Sequence, residues 1–371
     1  MKILITGDYC PWERVAERFA QGDYGVLDAI KPIFAHVDYS IVNLECPIVR
    51  GGEKPIVKNG PNLHADTRAL EALKGVGVSC VTLANNHFRD FGDEGVLNTL
   101  SELSAYGIDY VGGGANLTDA AAVLYKKIGK ETLAIVNCCE HEFSIATEGH
   151  CGSNPLNPIQ QYYAIQEAKK KADYVLVIVH GGVEHYQLPT PRMQETYQFF
   201  IDSGADAVIN HHQHCYSGYE IYQGKPIFYG LGNLCFDRSK RNSSWNEGFI
   251  LELTLSKSTF DYRFIPYHQC DDDPKVVLYN NDEKKEFEKE IEELNAIIAN
   301  PAELQTRYNK LLADTRRRYR FILEPYHSRI AKYLYRKHLL PSFMQRKYIL
   351  INNMIQCESH RERLMDALKI K

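Results

Sequence analysis

Long hydrophobic runs are missing from this 371-residue sequence. No apolar stretch approaches the roughly 18 residues that a helix needs to cross a bilayer, so we expect no transmembrane helix. The first residues, MKILITGDYCPWE, lack the longer apolar stretch and the small-residue cleavage site of a signal peptide. These absences predict a cytoplasmic protein.

The ten cysteines include no CxxC pair, which argues against a structural zinc knuckle and against a thioredoxin-type motif. Most of them lie in or beside apolar, strand-like runs, so we expect reduced and buried thiols. The composition is otherwise that of an ordinary globular protein, with 44% apolar and 24% charged residues. It excludes disorder, collagen-like repeats and coiled-coil arrays as the main architecture.

Charge is distributed unevenly along the chain, although the net charge is only −4. Residues 301–371 contain 16 lysines and arginines against 6 acidic residues, whereas the preceding residues contain 27 against 41. After Asp271–Pro274 the sequence changes to long helical patterns rich in Arg, Tyr and Leu. We therefore predict a body over residues 1–270 and a basic, all-helical appendage over residues 275–371.

Short apolar runs alternate with amphipathic stretches through most of the body. This order of strand, polar loop and helix is typical of an α/β protein with largely parallel strands. YEIYQGKPIFYG (219–230) instead predicts a hairpin with a glycine-containing turn, and EGFILELTL (247–255) predicts a further strand. The runs that predict parallel strands are residues 2–7, 39–44, 78–84, 132–138, 174–180 and 206–210.

Polar side chains follow five of these runs, at the point where each predicted strand ends. Ligands of open α/β sheets bind outside the carboxyl ends of the strands, so we expect these side chains to share one rim. Carboxylate, amide-oxygen and imidazole ligands are typical of Mn²⁺, Fe or Zn²⁺ sites, and they differ from the ligands of a thiolate site. The segments concerned are Gly7-Asp8, Asn43-Leu44-Glu45, Ala84 to His87, His180 to His185 and Asn210 to His214.

Each of these residues alone has an ordinary interpretation. Asp8 by itself would be a turn or helix-capping residue, and Glu184 by itself would be a surface charge. His212 and His214 are harder to explain in this way, because they alternate with Gln213 and an extended backbone would direct both to one face. Their coincidence at five strand ends favours a shared metal site.

The order of the motifs resembles the CapA family, which is named for poly-γ-glutamate capsule biosynthesis and belongs to the calcineurin-like metallophosphoesterase superfamily. The resemblance covers about residues 1–255. The matching residues, in collinear order, are Gly7-Asp8, Asn43-Leu44-Glu45, Ala84 to His87 with Asp90 and Gly92, His180 to Glu184, Gly204 to His214, and Gly224 to Asn233.

The resemblance implies a four-layer α/β/β/α metallophosphoesterase-like sandwich with two divalent metal ions, Mn, Fe or Zn, at its rim. Glu45, or alternatively Asn43, is the implied bridging ligand, and His87 is the implied catalytic imidazole, with Asp90 in the same motif. Cys10 stands where the superfamily often has a histidine, which weakens one of the two metal sites. The implied metal ligands are Asp8, Glu45, Asn86, His180, His212 and His214.

These residues together predict a metal-dependent hydrolase, a phosphatase or phosphodiesterase that acts on an anionic small molecule or polymer, and the resemblance implies a role in surface-polymer synthesis. His87 would stabilise developing charge or protonate the leaving group. Lys58, in KNGPNLHAD, would bind a substrate anion, or is a solvated loop lysine. Two other functions remain open, namely a metal-dependent hydrolase of amides or glycan-linked esters, and a non-catalytic accessory protein of capsule synthesis.

The basic appendage interleaves Arg and Lys with Tyr, Phe, Leu and Ile at helical spacing over residues 315–353. Its apolar face could pack on the acidic body, contact another protein, or dock on the inner face of an anionic membrane. Bulky aliphatic residues beside the charges, together with the lack of any nucleic-acid-binding motif, favour a membrane surface over nucleic acid.

Overall fold

The computed structural model describes residues 1–238, 243–256 and 260–368. In chain order the strands are β1 (Lys2–Tyr9), β2 (Tyr39–Leu44), β3 (Cys80–Thr82), β4 (Asp109–Val111), β5 (Gly113–Gly114), β6 (Leu124–Ile128), β7 (Glu131–Cys139), β8 (Gly152–Ser153), β9 (Tyr174–His180), β10 (Ala207–His211), β11 (Tyr219–Tyr222), β12 (Lys225–Phe228), β13 (Asn233–Cys235), β14 (Glu247–Leu255), β15 (Phe260–Gln269) and β16 (Val276–Leu278).

The α-helices alternate with these strands as far as β10 and then follow them. In chain order they are α1 (Arg14–Ala20), α2 (Lys31–Phe34), α3 (Arg68–Val76), α4 (Gly92–Tyr106), α5 (Leu117–Ala120), α6 (Pro158–Lys171), α7 (Pro191–Asp202), α8 (Asn281–Ile298), α9 (Pro301–Leu323), α10 (Arg329–Arg336), α11 (Tyr348–Gln356) and α12 (Glu358–Ala367).

Two large sheets form the first of two compact units, which covers Met1–Leu304. One sheet has the order β16-β15-β14-β1-β2-β3-β4, and β13 also pairs with β1. The second sheet has the order β11-β12-β10-β9-β7-β6. The pairs among β1 to β4 and among β7, β9 and β10 are parallel, whereas β14, β15 and β16 are antiparallel to their neighbours.

The alternation of side chains along β1 explains how the layers stack. Ile3 and Ile5 belong to a core cluster that also contains Ile178 of the second sheet. Leu4, which points to the opposite face, belongs to a cluster with Leu70 of α3. A third cluster joins the outer face of the second sheet to α6 and α7. The order of layers is therefore helix, sheet, sheet and helix, which confirms the expected α/β/β/α sandwich.

The first unit extends further along the chain than the sequence predicts. Residues 276–278 form strand β16, so the segment after residue 275 is not all helical. Phe287 and Ile291 of α8 are buried in the cluster between the two sheets. The Tyr216 hydroxyl also donates a hydrogen bond to the Glu290 carboxylate. The boundary between the units therefore follows α8 and does not precede it.

The second unit covers Gln305–Lys371 and is helical, as predicted; its last three residues, 369–371, lie outside the described part of the chain. Its packing centres on Glu324, which follows α9. The Glu324 carboxylate accepts hydrogen bonds from the Tyr348 hydroxyl at 2.7 Å and from the Phe343 backbone N–H at 2.8 Å. Tyr335 of α10 is buried beside it.

Two expectations from composition can be compared with the structure. No disulfide forms within the described residues, and every cysteine except Cys357 is buried, as predicted. None of the helices in the described ranges is long and apolar enough to cross a membrane.

Candidate metal centre

The carboxyl ends of parallel strands from both sheets meet at one edge of the sandwich. Asp8 is paired with Asn43 in the register of β1 and β2, and His180 is paired with His211 in that of β9 and β10. The structure brings the six predicted ligands, Asp8, Glu45, Asn86, His180, His212 and His214, to this edge, and none of them is more than 7% exposed. Their role as ligands remains a prediction.

A close approach between two glycines shapes this edge. A Cβ atom at Gly7 would lie 1.8 Å from the carbonyl oxygen of Gly232, which itself has a φ of 77°. Because both residues lack a side chain, β13 can run beside the end of β1, and the Asp8 N–H donates to the Gly232 carbonyl at 3.1 Å. This pairing sets Asn233 opposite Asp8. The glycines of two distant motifs therefore serve the same contact.

Two groups of donor atoms lie at this edge, and both include Glu45. The first consists of Glu45, His180 and His212, and the second of Asp8, Glu45 and His214. Within each group the potential ligand atoms are all within 4.8 Å of one another. The Asn86 side-chain oxygen lies 3.0 Å from His180 Nε2 and adds an amide oxygen beside the first group. This arrangement fits two cations that share one carboxylate.

The carboxylate of Glu45 is the clearest sign that the site is built for a cation. Glu45 is fully buried, and neither of its oxygens has a hydrogen-bond partner in the described part of the chain. His180 Nε2 and His214 Nε2 each lie 3.6 Å from Oε1, beyond hydrogen-bond distance. A buried carboxylate normally accepts hydrogen bonds or coordinates a metal, because burying it alone costs several kcal/mol. The residues present therefore fit a bound metal.

Burial and neighbouring charges shift the ionisation of these groups. Burial raises the pKa of Glu45, and the negative charge of Asp8 raises it further. Burial alone would also raise the pKa of Asp8, but its hydrogen bond with His214 and the charge of His180 outweigh burial and lower that pKa. Burial and the charge of His212 lower the pKa of His180. Burial alone would lower the pKa of His214, but its hydrogen bond with Asp8 and the charge of Asp8 raise that pKa. A cation would bind to the neutral form of each imidazole and would displace the proton that His214 holds beside Asp8.

The alternation of His212 and His214 with Gln213 suggested an extended backbone after β10. In the structure both histidines instead have a strained backbone conformation. Their φ angles are 90° and 55°, in the left-handed region that non-glycine residues rarely adopt. This conformation still brings the rings within 6.0 Å of each other. Strain of this kind costs about 1–3 kcal/mol per residue and is concentrated at functional sites.

Asparagines orient the ligands from behind, a contribution that the sequence argument largely missed. The Asn43 amide donates to Asp8 Oδ1 at 2.7 Å and lies 3.2 Å from His180 Nδ1. Asn233 Oδ1 lies 2.9 Å from His214 Nδ1. The resemblance implies Asn43 as an alternative bridging ligand, but in the structure its amide contacts Asp8 and His180 and orients them. In the sequence, only the order of the motifs indicated a functional role for Asn233, because an isolated asparagine at the end of a strand is an ordinary loop residue.

His87 forms a separate arrangement with the other two predicted catalytic residues. Asp90 Oδ2 lies 2.7 Å from His87 Nδ1, and because a carboxylate only accepts, Nδ1 carries the proton. Lys58 Nζ pairs with the other Asp90 oxygen and lies 3.1 Å from the same ring nitrogen. With only 3% of its side chain exposed, Lys58 is neither the solvated lysine nor the open anion-binding group that the sequence suggested. It neutralises the buried Asp90.

Cys10 lies outside both donor groups. It is fully buried among apolar residues of the cluster on the helix-facing side of β1, next to Cys46. Burial and the interaction with Cys46 raise the pKa of the Cys10 thiol well above its ordinary value, so the thiol keeps its proton in the metal-free protein. The group of Asp8, Glu45 and His214 therefore has one donor fewer than the superfamily pattern implies.

A pocket of about 390 Å³ opens over the centre. His87, Glu184 and His214 are among its lining residues. Burial alone would raise the pKa of Glu184, but the charges of His214 and His212 lower it, so this carboxylate is ionised. The other lining residues are Trp12, Glu13, Pro61, Leu63, Phe236, Asp237, Arg238 and Trp245.

Solved structures of similar fold include a hypothetical protein from Thermus thermophilus, with a TM-score of 0.47 and 16% identity over 76% of this chain and 100% of that chain. A putative 5'-nucleotidase from Staphylococcus aureus has a TM-score of 0.43 and 14% identity, over 79% of this chain and 58% of that chain.

Sequence relatives have names that refer to capsule synthesis. "Capsule biosynthesis protein CapA" from Bacillus anthracis is 32% identical over 204 residues, 53% of this chain and 50% of that protein. "PGA biosynthesis protein CapA" from Bacillus subtilis is 33% identical over 180 residues, 48% of this chain and 47% of that protein. A "probable polyglutamine synthesis accessory protein" from Mycobacterium tuberculosis is 31% identical over 231 residues, 58% of this chain and 59% of that protein. The chain spans about half the length of these relatives.

One family model matches residues 2–238, a segment that contains all six predicted ligands together with His87, Asp90 and Lys58. The family is described as bacterial capsule synthesis protein PGA_cap, in agreement with the resemblance of the motifs. This chain belongs to that capsule synthesis family, the CapA family.

Proposed function

We propose that this chain is a divalent-metal-dependent hydrolase of phosphoester bonds that acts in capsule or surface-polymer synthesis. The observation that carries the proposal is the Glu45 carboxylate, which is buried without hydrogen-bond partners and shared by two groups of donor atoms. Two carboxylates and three imidazoles on one buried edge form a ligand set typical of Mn, Fe or Zn sites that hydrolyse esters.

The residues divide into two ligand sets with one common member. Asp8, Glu45 and His214 would hold one cation, and Glu45, His180 and His212, with the Asn86 oxygen, would hold the other. When bound, such cations activate a water molecule and stabilise the charge on phosphoryl oxygens. Two asparagines keep the ligands in place. The Asn43 amide donates a hydrogen bond to Asp8, and the Asn233 side-chain oxygen contacts His214 Nδ1.

His87 would serve the leaving group. Its Nδ1 proton is committed to Asp90, so Nε2 is the ring nitrogen available to a substrate in the pocket that His87 lines. Protonated at Nε2, the ring can donate to a developing alkoxide, which is worth about 10²–10⁴-fold in rate. Asp90 fixes the ring orientation, and Lys58 balances the charge of Asp90.

A second candidate function is a non-catalytic accessory role in polymer synthesis. The observation that favours it is Cys10, which belongs to neither donor group and so leaves the group of Asp8, Glu45 and His214 with few donors. The name of the Mycobacterium tuberculosis relative also describes an accessory protein.

A substrate screen separates these functions. The purified chain would be reconstituted with Mn²⁺, Fe²⁺ or Zn²⁺ and assayed on aryl phosphate mono- and diesters, a γ-glutamyl amide and a glycan-linked ester. Metal-dependent turnover of an aryl phosphate supports the proposal, provided that His87→Ala reduces it and the exposed control His36→Ala does not. Turnover of only the amide or the glycan ester supports a different hydrolase. Bound metal without any turnover supports the accessory role.

A further inference from the structure

The cationic side chains at or beside the pocket over the centre are of two kinds, paired and unpaired. Lys58, deeper in the structure, is paired with Asp90. Arg14 holds Asp237 with two contacts of 2.8 Å, from Nε to Oδ2 and from Nη2 to Oδ1. That carboxylate is therefore already neutralised, although it lines the pocket beside Arg238.

Arg238 lines the same pocket but has no acidic partner. Within residues 1–238, 243–256 and 260–368, no carboxylate oxygen lies within 4.0 Å of its guanidinium nitrogens. The remaining residues, 239–242, 257–259 and 369–371, contain no Asp or Glu. Glu184, which also lines the pocket, is surrounded by the histidines of the centre. An arginine that faces a pocket without a carboxylate partner keeps its five donors for a ligand.

Trp245 holds this arginine at the outer part of the pocket. The Arg238 guanidinium carbon lies 4.9 Å from the centre of the Trp245 ring, a cation–π contact. The Trp245 ring in turn lies 4.6 Å from the His214 ring, and its indole N–H donates to the Phe236 carbonyl at 2.8 Å. Trp245 therefore links the guanidinium to a candidate metal ligand through two direct contacts, which place Arg238 at the site.

We propose that Arg238 recognises a second anionic group, a carboxylate or phosphate, on the leaving-group side of the substrate. This inference rests on the proposed hydrolase function. Arg238 is exposed, whereas the donor groups are buried, so it meets the part of the substrate that extends from the scissile phosphoryl group towards solvent. Guanidinium binds both oxyanions through paired hydrogen bonds. The substrate class is thus a phosphoester whose alcohol portion carries its own negative charge.

Three aryl phosphates test this specificity. Their rings carry a carboxylate, an uncharged carboxamide or a second phosphate, and kcat/KM is measured for each with the metal-loaded full chain. We compare wild type with Arg238→Gln, with Arg238→Lys and with the control Arg263→Gln, which removes an exposed arginine of β15 outside the pocket. Because the ratio of anionic to neutral substrate is taken within each protein, differences in intrinsic reactivity cancel between variants.

The expected result is a preference for the anionic rings that falls about tenfold or more in Arg238→Gln, mainly through KM, because one charge-assisted pair is lost. Arg238→Lys should keep part of the preference, and Arg263→Gln should keep all of it. A larger loss on one of the two anionic rings identifies which oxyanion is recognised. The inference is overturned if Arg238→Gln leaves the ratio unchanged or lowers turnover of all three substrates by the same factor.

A binding measurement separates failure of this inference from failure of the hydrolase proposal. Both tryptophans of the chain, Trp12 and Trp245, line the pocket, so their fluorescence reports its occupancy. The probes are the arylphosphonates that carry a carboxylate or a carboxamide, neither of which can be hydrolysed. If the chain hydrolyses nothing, a carboxylate preference of about tenfold that Arg238→Gln abolishes still supports the inference. Equal affinities in both proteins, or no binding of either phosphonate, contradict it.

Discussion

Two histidines at the edge of the sandwich have different surroundings and therefore different expected roles. His212 belongs to a donor group with Glu45 and His180, and its Nδ1 lies 3.0 Å from His180 Nε2. His87 belongs to neither group and is held by Asp90. The first arrangement suits metal binding, and the second suits proton transfer to a leaving group.

Replacing either histidine by alanine should therefore reduce turnover, but only one of the two replacements should reduce metal content. In His87→Ala, turnover should fall by about 10²–10⁴-fold while the bound metal stays nearly constant. In His212→Ala, metal should be lost together with activity. Elemental analysis and aryl phosphatase assays on the same preparations measure both quantities, and equal metal loss in the two variants would show that these roles are assigned wrongly.

The sequence was sufficient to place most of these side chains, for a physical reason. The carboxyl ends of parallel strands meet at one edge, so polar residues after buried strands could be predicted to converge. The sequence could not show that Lys58 is buried against Asp90, or that Cys10 lies outside both donor groups. Those outcomes depend on which face of a loop or strand end turns inward, and this is decided by packing between segments far apart in the chain.

Among the elements, β13 is the one that completes the site. It pairs with β1 in parallel although it lies more than two hundred residues further along the chain, and its Asn233 supports His214. The pairing depends on the absence of side chains at Gly7 and Gly232. A substitution at Gly7 should therefore disturb both the fold and the metal centre.

Gly7→Ala should destabilise the protein by at least about 3 kcal/mol, because the new methyl group would meet a backbone oxygen that cannot move without breaking the pairing of β1 and β13. The matched control is Gly75→Ala in α3, where nothing lies within 4 Å of the new Cβ. That change should stabilise the helix by up to about 1 kcal/mol. Urea unfolding of both variants measures the difference, and similar stabilities would contradict this description of the site.

The elements were predicted unequally well, for identifiable reasons. Strand β2 begins and ends as predicted, because all six of its residues are apolar or buried and turn residues flank it. Strand β15 was missed, since Arg263, Pro266 and alternating polar residues mask its pattern. The many charges of α8 concealed the buried stripe of Phe287 and Ile291, so this helix was grouped with the appendage although its own charge is acidic.

At the scale of the whole molecule, two compact units have different surfaces. The second unit, Gln305–Lys371, carries a strong positive charge. It also exposes large apolar side chains next to its basic residues, as in α10, where Ile330 is 72% exposed and Tyr333 is 61% exposed beside Arg329 and Lys332. Adjacent basic and apolar side chains on short helices are typical of segments that bind anionic membrane surfaces.

The full chain should therefore float with vesicles that contain anionic phospholipid at low salt, and should not float with neutral vesicles. Replacing Arg329, Lys332 and Arg336 by Glu should abolish flotation. Replacing Lys170 of α6, an exposed lysine of the first unit, by Glu should not affect it. A full chain that does not float with anionic vesicles would exclude a membrane partner for this unit.

The measurement that tests the central claim most directly is the metal content of the purified chain and of Glu45→Gln. Glu45 is the only residue common to both donor groups, so it should be needed for both cations. We predict two equivalents of Mn, Fe or Zn in the wild type, about one in His214→Ala and essentially none in Glu45→Gln. A wild type that binds no metal, or a Glu45→Gln variant with the metal content of the wild type, would contradict the account.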